Sequence, residues 1–212
     1  VGIALDGDAD RVVLVCEKGN VVDGDALLAL FGRDMAQRGT LRGGKVVATV
    51  MSNIGLELEL RKRGITLVRT PVGDKYVMEE MLKNGFVVGG EQSGHVILAE
   101  HLFTGDGMAT ALAIMRVMVE TGRELSDLAG ELVTFPQTLM NVRVRERVDV
   151  ESVPAIADAM SRVRAALGDE GRLLVRYSGT EPLLRIMIEG QDQATVQAWA
   201  EEIADAVRNT LA

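Results

Sequence analysis

Short apolar runs alternate with stretches of helical periodicity between residues 25 and 120, and this alternation constrains the fold more than any other feature. The apolar runs are rich in Val, as buried strands are, and lie at 46–50, 65–68 and 86–88. The helical segments begin near residues 25, 53, 75 and 107. Strands that alternate with helices predict βαβ units, and therefore an α/β domain whose sheet has helices on both faces and binds ligands beyond its strand ends.

The two ends of the chain carry different patterns. Apolar runs at 1–5 and 12–15 predict two buried strands, and a turn at Gly19-Asn20 leads to a short third strand. After Phe135-Pro136 the order becomes strand, helix, two strands and a terminal helix, at about 139–144, 153–166, 173–177, 183–189 and from 193 onward. This order predicts a separate α+β unit with its boundary near Pro136.

Composition and charge exclude several classes of protein. With 47% apolar and 25% charged residues over 212 positions, the chain has the balance of a folded globular protein. Its net charge of -8 disfavours nucleic acid, because binding to phosphate backbones needs clustered Lys and Arg. No apolar run approaches the roughly 18 residues of a membrane span, and the single cysteine, Cys16, excludes an internal disulfide. We therefore expect a cytoplasmic protein that binds neither nucleic acid nor membranes.

Three carboxylates alternate along the segment that follows the first predicted strand. Asp6, Asp8 and Asp10 lie two residues apart, and Arg11 follows at once. Three like charges so close together are unfavourable unless a cation lies among them, and side chains at i, i+2 and i+4 of an extended segment project to one side. Hard oxygen ligands without His or Cys favour Mg²⁺ over zinc. The run therefore predicts a magnesium site.

Two other kinds of site share features with this acidic run. Together with Glu17 it matches several ligand positions of an EF-hand loop, but Arg11 stands where that loop needs Gly, and 12–15 continues as a strand. The EF-hand is therefore rejected. A metal-dependent phosphatase that uses Asp6 as its nucleophile also fits an acidic pair after an apolar strand, and this alternative stays open.

A second polar loop follows the predicted strand at 86–88. In the segment 89–95, glycines flank Glu91, Ser93 and His95, which offer an acceptor, a hydroxyl and an imidazole at alternating positions. This set suits a ligand with several hydroxyl groups. An ordinary polar turn explains the spacing equally well.

A third loop lies at the end of the strand predicted at 173–177. The hydroxyls of Ser178 and Thr180, the backbone around Gly179 and the guanidinium groups of Arg176 and Arg185 could cradle a phosphate dianion. The alternative is a turn between two strands with ion-paired arginines.

Taken in order, the three loops resemble the metal-binding, sugar-binding and phosphate-binding loops of the α-D-phosphohexomutases. The intervening segments 49–57, 70–77 and 104–107 are similar to the bacterial branch of that family that acts on glucosamine phosphate. The resemblance spans essentially the whole chain. It implies a remnant of the second family domain at 1–24, the third domain with a mixed sheet at 25–135, and a fourth α+β domain with an antiparallel sheet at 136–212.

The resemblance also implies an activity and a set of roles. The activity is reversible conversion of glucosamine 6-phosphate to glucosamine 1-phosphate through a phosphoserine and a bisphosphorylated sugar, on the route to UDP-N-acetylglucosamine and the bacterial cell wall. Asp6, Asp8 and Asp10 would hold Mg²⁺, and Arg11 would contact the phosphoserine. The residues implied in substrate binding are Glu91 and Ser93 for sugar hydroxyls, and Arg176, Ser178, Gly179, Thr180 and Arg185 for phosphate. Lys75 and His95 would stabilise charge or transfer a proton.

One motif of the family has no counterpart in this sequence. The nucleophilic serine of the family lies in a loop of the type Ser-His-Asn-Pro, and no such sequence occurs here. We therefore expect a piece of a longer protein that is inactive alone, exposes sheet edges and apolar surface, and has the missing N-terminal domains as its natural partner. A homodimer, glucose or mannose phosphates as substrates, and a non-catalytic module that binds sugar phosphate stay open.

Overall fold

The computed structural model describes residues 1–212, and the chain divides into two compact units, Val1–Thr134 and Phe135–Ala212. Each unit has its own cluster of buried apolar side chains. None of the helices combines the length and the apolar character that crossing a bilayer requires.

The first unit begins with a small antiparallel sheet. Its strands, in spatial order, are β1 (Gly2–Leu5), β2 (Val12–Val15) and β3 (Val21–Val22). Val12 and Leu14 of β2 are fully buried, whereas every residue of β1 is exposed, including Ile3 at 43% and Leu5 at 37%. The prediction of a buried first strand is therefore wrong: β1 lies at a sheet edge with its apolar side chains uncovered. The expectation of an open apolar edge agrees with this arrangement.

The larger sheet of the first unit is mixed, as predicted. Its strands are β4 (Lys45–Thr49), β5 (Thr66–Thr70), β6 (Val88–Gly90) and β7 (Val96–Leu98). The spatial order is β5-β4-β6-β7, in which β4 runs parallel to β5 and β6, and β7 runs antiparallel to β6. The sequence did not predict β7, because three apolar residues after a polar loop give too short a pattern.

Helices cover both faces of this sheet. They are α1 (Gly24–Gln37), α2 (Ile54–Arg61), α3 (Asp74–Asn84), α4 (Gly107–Thr121) and the short α5 (Leu125–Ala129), which the sequence did not predict. Side chains of α1, α2, α4 and β2 form one core with Val46 and Ala48 of β4. The single cysteine, Cys16, directly follows β2 and is buried in the same core. Val47, on the opposite side of β4, packs with Val77 and Met81 of α3.

The second unit is an α+β arrangement with an antiparallel sheet. Its elements are β8 (Gln137–Arg143), α6 (Pro154–Leu167), β9 (Arg172–Tyr177), β10 (Leu183–Glu189) and α7 (Gln193–Leu211). The spatial order of the strands is β8-β10-β9. Alternate residues of β10, among them Leu184 and Ile186, form a core with α6 and α7, and Trp199 of α7 packs against it. Arg185 belongs to the alternate residues of β10 that face away from this core, and it lies opposite Arg176 of β9.

Candidate functional site

The connection from β1 to β2 carries the acidic run in a strained turn. Ala9 has a φ of 59°, a left-handed conformation that costs an L-residue about 1–2 kcal/mol. Two backbone hydrogen bonds hold the turn: the Ala9 N–H donates to the Asp6 carbonyl at 3.3 Å, and the Ala9 carbonyl accepts from the Gly107 N–H at 2.9 Å. The start of α4 therefore helps to fix the shape of the acidic loop.

The three carboxylates of this loop point toward one another. One oxygen from each of Asp6, Asp8 and Asp10 can be chosen so that all lie within 4.8 Å of one another. The Arg11 guanidinium is 3.9 Å from Asp6 and 4.0 Å from Asp10 and its side chain is half exposed, so it offsets little of their repulsion. Asp10 Oδ1 is buried and accepts no hydrogen bond. Clustered carboxylates with an unsatisfied buried oxygen are a donor set that fits Mg²⁺.

His95 connects the acidic loop to the second polar loop. Its Nδ1 lies 3.0 Å from Asp10 Oδ2, and its Nε2 lies 3.1 Å from the backbone nitrogen of Gly105. A backbone N–H can only donate, so Nε2 accepts and the ring proton lies on Nδ1, from which it is donated to Asp10. The ring is 3% exposed.

The resemblance gives His95 a role in charge stabilisation or proton transfer, and that role stays a prediction. In the ligand-free chain both ring nitrogens are hydrogen-bonded inside the protein, to Asp10 and to Gly105. The bond to Asp10 holds that carboxylate in one orientation. Gly105 is required beside His95, because a Cβ at that position would lie 2.4 Å from the imidazole ring.

The polar loop between β6 and β7 lies directly against the start of β2. Gly94 has a φ of 93°, and a Cβ on it would come within 2.1 Å of the Val12 carbonyl oxygen. The Gly94 carbonyl accepts from the Val12 N–H at 3.1 Å, and a β-bridge joins Arg11 to His95. The structure therefore brings the predicted metal-binding and sugar-binding loops together within the first unit.

Glu91 links the second polar loop to the start of α3. Its Oε1 accepts from the Gly73 N–H at 3.1 Å, and its Oε2 accepts from the Ser93 hydroxyl at 3.4 Å. Lys75, two residues after Gly73, is 71% exposed and lies 3.7 Å from Glu79 on the same helix. Glu91 therefore holds the segment that carries Lys75 beside the sugar-binding loop, while the Lys75 ammonium itself pairs with Glu79.

A buried carboxylate supports the same end of the sheet. Asp25, in the first turn of α1, accepts from the Asn53 N–H at 2.8 Å and so fixes the loop between β4 and α2. Burial raises the pKa of the Asp25 carboxyl to about 6, although hydrogen bonds from Asn53 and Ser52 act in the opposite direction. The preceding residue, Gly24, donates its N–H to the Gln92 carbonyl at 3.0 Å, which ties α1 to the sugar-binding loop.

The predicted phosphate-binding loop lies between β9 and β10 of the second unit. Ser178 is buried, and its N–H donates to the Leu183 carbonyl at 2.8 Å. Arg185 donates to the Ser178 hydroxyl at 3.4 Å and to the Glu181 carboxylate at 3.0 Å. Gly179 and Thr180 are exposed at the tip of the loop. The Arg185 guanidinium of β10 thus lies at a loop that offers two hydroxyls and exposed backbone, as an anion site requires.

Arg147, which the sequence analysis does not single out, also holds this loop. One guanidinium nitrogen of Arg147 contacts three loop carbonyls, at 2.6 Å from Ser178, 3.4 Å from Gly179 and 3.3 Å from Glu181. The Arg147 side chain also lies over the Tyr177 ring, 5.9 Å from its centroid. A lone arginine 31 positions before Ser178 carries no local pattern that could have revealed this contact.

Comparison with known protein families covers both units. Residues 23–135 match the model described as phosphoglucomutase/phosphomannomutase, alpha/beta/alpha domain III. Residues 139–206 match the C-terminal domain of the same family. The chain belongs to the phosphoglucomutase/phosphomannomutase family. The predicted sugar-binding loop lies in the region matched by domain III, and the predicted phosphate-binding loop lies in the region matched by the C-terminal domain.

Curated members of the family are similar over the whole chain. A protein of Geotalea daltonii named phosphoglucosamine mutase is 52% identical over 211 residues, which is 100% of this chain and 46% of the relative. A protein of the same name from Nitratidesulfovibrio vulgaris is 51% identical and is covered to 47% of its length. The chain therefore spans about half the length of the curated relatives it matches.

Solved structures of the family share the fold. N-acetylphosphoglucosamine mutase of Aspergillus fumigatus, solved with GlcNAc-6P and magnesium, matches 98% of this chain and 48% of its own, with a TM-score of 0.76 and 21% identity. A phosphoglucomutase/phosphomannomutase family protein of Burkholderia thailandensis matches 98% of this chain and 46% of its own, also with a TM-score of 0.76 and 21% identity.

Proposed function

We propose that this chain forms part of a phosphoglucosamine mutase, which interconverts glucosamine 6-phosphate and glucosamine 1-phosphate. The observation that carries the proposal is 52% identity over the whole chain to a protein of that name. The acidic, sugar-binding and phosphate-binding loops are all present, and each has the chemistry that its part in the reaction needs. The proposal places the protein in the cytoplasm, on the route to UDP-N-acetylglucosamine and the bacterial cell wall.

In this proposal Asp6, Asp8 and Asp10 bind Mg²⁺. When bound, the ion supplies positive charge that stabilises the phosphoryl group during its transfer. Arg11 extends from the same loop and directs its guanidinium toward the phosphoserine that the rest of the protein provides. Its half-exposed side chain and its long distances to Asp6 and Asp10 support this role, since the group is free to turn toward an incoming phosphate.

The remaining loops bind the substrate. Glu91 and Ser93 hydrogen-bond hydroxyl groups of the sugar, and each Glu91 oxygen keeps a lone pair for this after its contacts with Gly73 and Ser93. The phosphate that does not react is bound by the second unit through Arg176, Ser178, Gly179, Thr180 and Arg185. Lys75 stabilises negative charge, which its exposed ammonium at the edge of the sugar-binding loop supports.

The chain alone is expected to bind substrate without converting it, because it has no Ser-His-Asn-Pro loop to supply a phosphoserine. The test is a coupled assay for glucosamine 1-phosphate together with calorimetric titration of glucosamine 6-phosphate into the purified chain with Mg²⁺. We expect saturable binding and no turnover. Measurable turnover by the purified chain contradicts the assignment of the phosphoserine to the rest of the protein.

Variants identify the residues responsible for binding. Arg185→Ala should weaken binding about tenfold, the value of one charge-assisted contact. The control, Arg164→Ala, removes an arginine of the same unit that pairs with Glu151 and should leave binding unchanged. Equal affinity in both variants contradicts the proposed phosphate site.

Two further measurements test two of the alternatives that the sequence leaves open, another sugar phosphate as substrate and a phosphatase. Tighter binding of glucose 6-phosphate or mannose 6-phosphate than of glucosamine 6-phosphate moves the substrate assignment to another member of the family. Release of inorganic phosphate that is abolished by Asp6→Asn but retained in Arg185→Ala indicates instead a phosphatase with Asp6 as its nucleophile.

A further inference from the structure

The phosphate-binding loop has its carbonyl groups gathered on one side. The carbonyls of Ser178, Gly179 and Glu181 all accept from the same nitrogen of Arg147, the first at 2.6 Å. Three backbone carbonyl oxygens therefore surround one positively charged donor group. These peptide units thus all face the guanidinium with their carbonyl ends.

The orientation of these carbonyls also determines the orientation of two N–H groups. In a trans peptide unit the C=O of one residue and the N–H of the next point in opposite directions, and the chain has no cis peptide bond. With the Ser178 and Gly179 carbonyls turned toward Arg147, the N–H groups of Gly179 and Thr180 are turned away from it. Neither N–H donates to another group of the protein. They are two backbone donors of the loop that remain for an anion.

Arg147 is itself held in place by Tyr177, the last residue of β9. The Tyr177 hydroxyl accepts from the Val148 N–H at 3.1 Å and donates to the Val148 carbonyl at 2.8 Å. The ring of Tyr177 lies under the Arg147 guanidinium, where the two groups attract each other. The segment that carries Arg147 is thus fastened beside the loop that it contacts.

We propose that Arg147 is a positioning residue that orients the Gly179 and Thr180 N–H groups of the phosphate-binding loop toward the ligand. The cation also polarises these peptide units, because it sits at their carbonyl end and so strengthens their N–H groups as donors. The inference rests on the proposed function only in naming phosphate as the ligand. The orientation of the loop is a property of the ligand-free chain.

The test compares three arginine variants of the whole chain. Arg147→Met removes every donor and keeps an unbranched stem for stacking on Tyr177, whereas Arg147→Lys restores a charged nitrogen with three N–H groups. The matched control is Arg162→Met, which removes an exposed arginine of α6 that pairs with Glu202. Each variant is labelled with nitrogen-15, the Gly179 and Thr180 amide resonances are recorded without ligand, and inorganic phosphate is then titrated.

We expect Arg147→Met to shift both amide resonances before any ligand is added and to raise the Kd for phosphate about tenfold. Arg147→Lys should restore most of the affinity, and Arg162→Met should change neither quantity. Tyr177→Phe, which only frees the Val148 backbone, should shift the same resonances by a smaller amount, and it serves as the test if Arg147→Met does not fold.

The outcomes separate positioning from direct contact. Unchanged amide resonances in Arg147→Met overturn the proposal, and they do so even if the Kd rises, because Arg147 would then touch the phosphate itself. If the resonances shift but the unmodified chain binds no phosphate, the orienting role of Arg147 stands and the proposed phosphate site fails.

Discussion

His95 and Asp10 lie 85 positions apart in the sequence, and the hydrogen bond between their side chains joins two loops that are distant along the chain. The Gly105 N–H fixes the imidazole in one tautomer, with its proton on the Asp10 side. A buried hydrogen-bond partner of this kind holds a metal-binding carboxylate in one orientation. The carboxylate then loses less conformational entropy when the metal binds. In the ligand-free chain His95 is therefore a fixed hydrogen-bond donor to Asp10.

The affinity for divalent metal tests this role. His95→Leu should weaken binding of Mn²⁺, used as a probe for the Mg²⁺ site, by about 10- to 100-fold, as loss of a group that orients a metal ligand does. His95→Asn should retain part of the affinity, because its amide can place an N–H near the position of Nδ1. His101→Leu, which changes the exposed second histidine, is the control. Equal Mn²⁺ affinities in all three variants contradict the role.

The buried carboxylate of Asp25 makes stability depend on pH. Its pKa is about 6 in the folded chain and about 3.9 in an unfolded one, so the stabilising contribution is fully present below about pH 4 and lost as the pH rises through 6. The difference corresponds to about 3 kcal/mol. Asp25→Asn keeps an acceptor for the Asn53 N–H and cannot ionise.

Urea unfolding at a series of pH values measures this effect. Relative to the unmodified chain, Asp25→Asn should gain up to about 3 kcal/mol in free energy of unfolding between about pH 4 and pH 8. Asp158→Asn, a change on the exposed face of α6, should give a curve parallel to that of the unmodified chain. A parallel curve for Asp25→Asn would show that folding does not shift the pKa of this carboxyl, and would contradict the rise that its burial predicts.

At the scale of single elements, most strands and helices were predicted and two short ones were not. The alternation of apolar runs and helical periodicity predicted β4, α2, β5 and α3, because each carries a run or a stripe of apolar residues in the sequence. It missed β7 and α5, which span three and five residues. It also predicted β1 to be buried, which is wrong. An apolar run shows that burial of its side chains would be favourable, but not that another element of the fold packs against them.

The contacts within the candidate site were less accessible from the sequence. The three loops could be found because their residue types lie close together in the chain. The bond from His95 to Asp10 and the bonds from Arg147 to the phosphate-binding loop join positions far apart, so only the fold reveals them. For His95, local spacing showed an imidazole in a polar loop, but not that Asp10 and Gly105 are hydrogen-bonded to its two ring nitrogens.

The open edge of β1 leads to a prediction about association. An exposed strand edge with apolar side chains invites pairing with another chain, so we expect the purified chain to self-associate as its concentration rises. Ile3→Lys should reduce this association, because a charge on an edge strand opposes pairing. Val119→Lys, which removes a more exposed apolar side chain from α4, is the control.

Sedimentation velocity over a range of concentrations provides the measurement, with circular dichroism to verify that each variant folds. If Ile3→Lys and Val119→Lys reduce association equally, general surface hydrophobicity and not the strand edge is responsible. If the unmodified chain stays monomeric throughout, the edge does not drive association at all.

At the scale of the whole molecule, the two units bury separate sets of apolar side chains. The core of the second unit is formed by β8, β9 and β10 with α6 and α7, and all of these elements lie within Phe135–Ala212. A domain of this size buries a modest share of its surface, so its stability is expected to be low but sufficient for folding.

The second unit should therefore fold on its own. We expect a chain of residues 135–212 to retain its helical circular dichroism and to unfold cooperatively in urea, with a free energy of unfolding of a few kcal/mol. Ile186→Ala, which empties a fully buried position on β10, should lower that value by about 2–5 kcal/mol and abolish the cooperative transition. A non-cooperative loss of signal in the unmodified chain of 135–212 would contradict independent folding.

The position of Trp199 makes tryptophan fluorescence a selective reporter of the folding of the second unit. It is the only tryptophan in the chain and it packs on the core formed by α6, α7 and their sheet. Tryptophan emission therefore follows the melting of the second unit, whereas the far-ultraviolet dichroic signal sums the helices of both. Recorded on one sample, the two curves coincide if the halves melt as one and separate if they do not, so the native chain needs no label for this distinction.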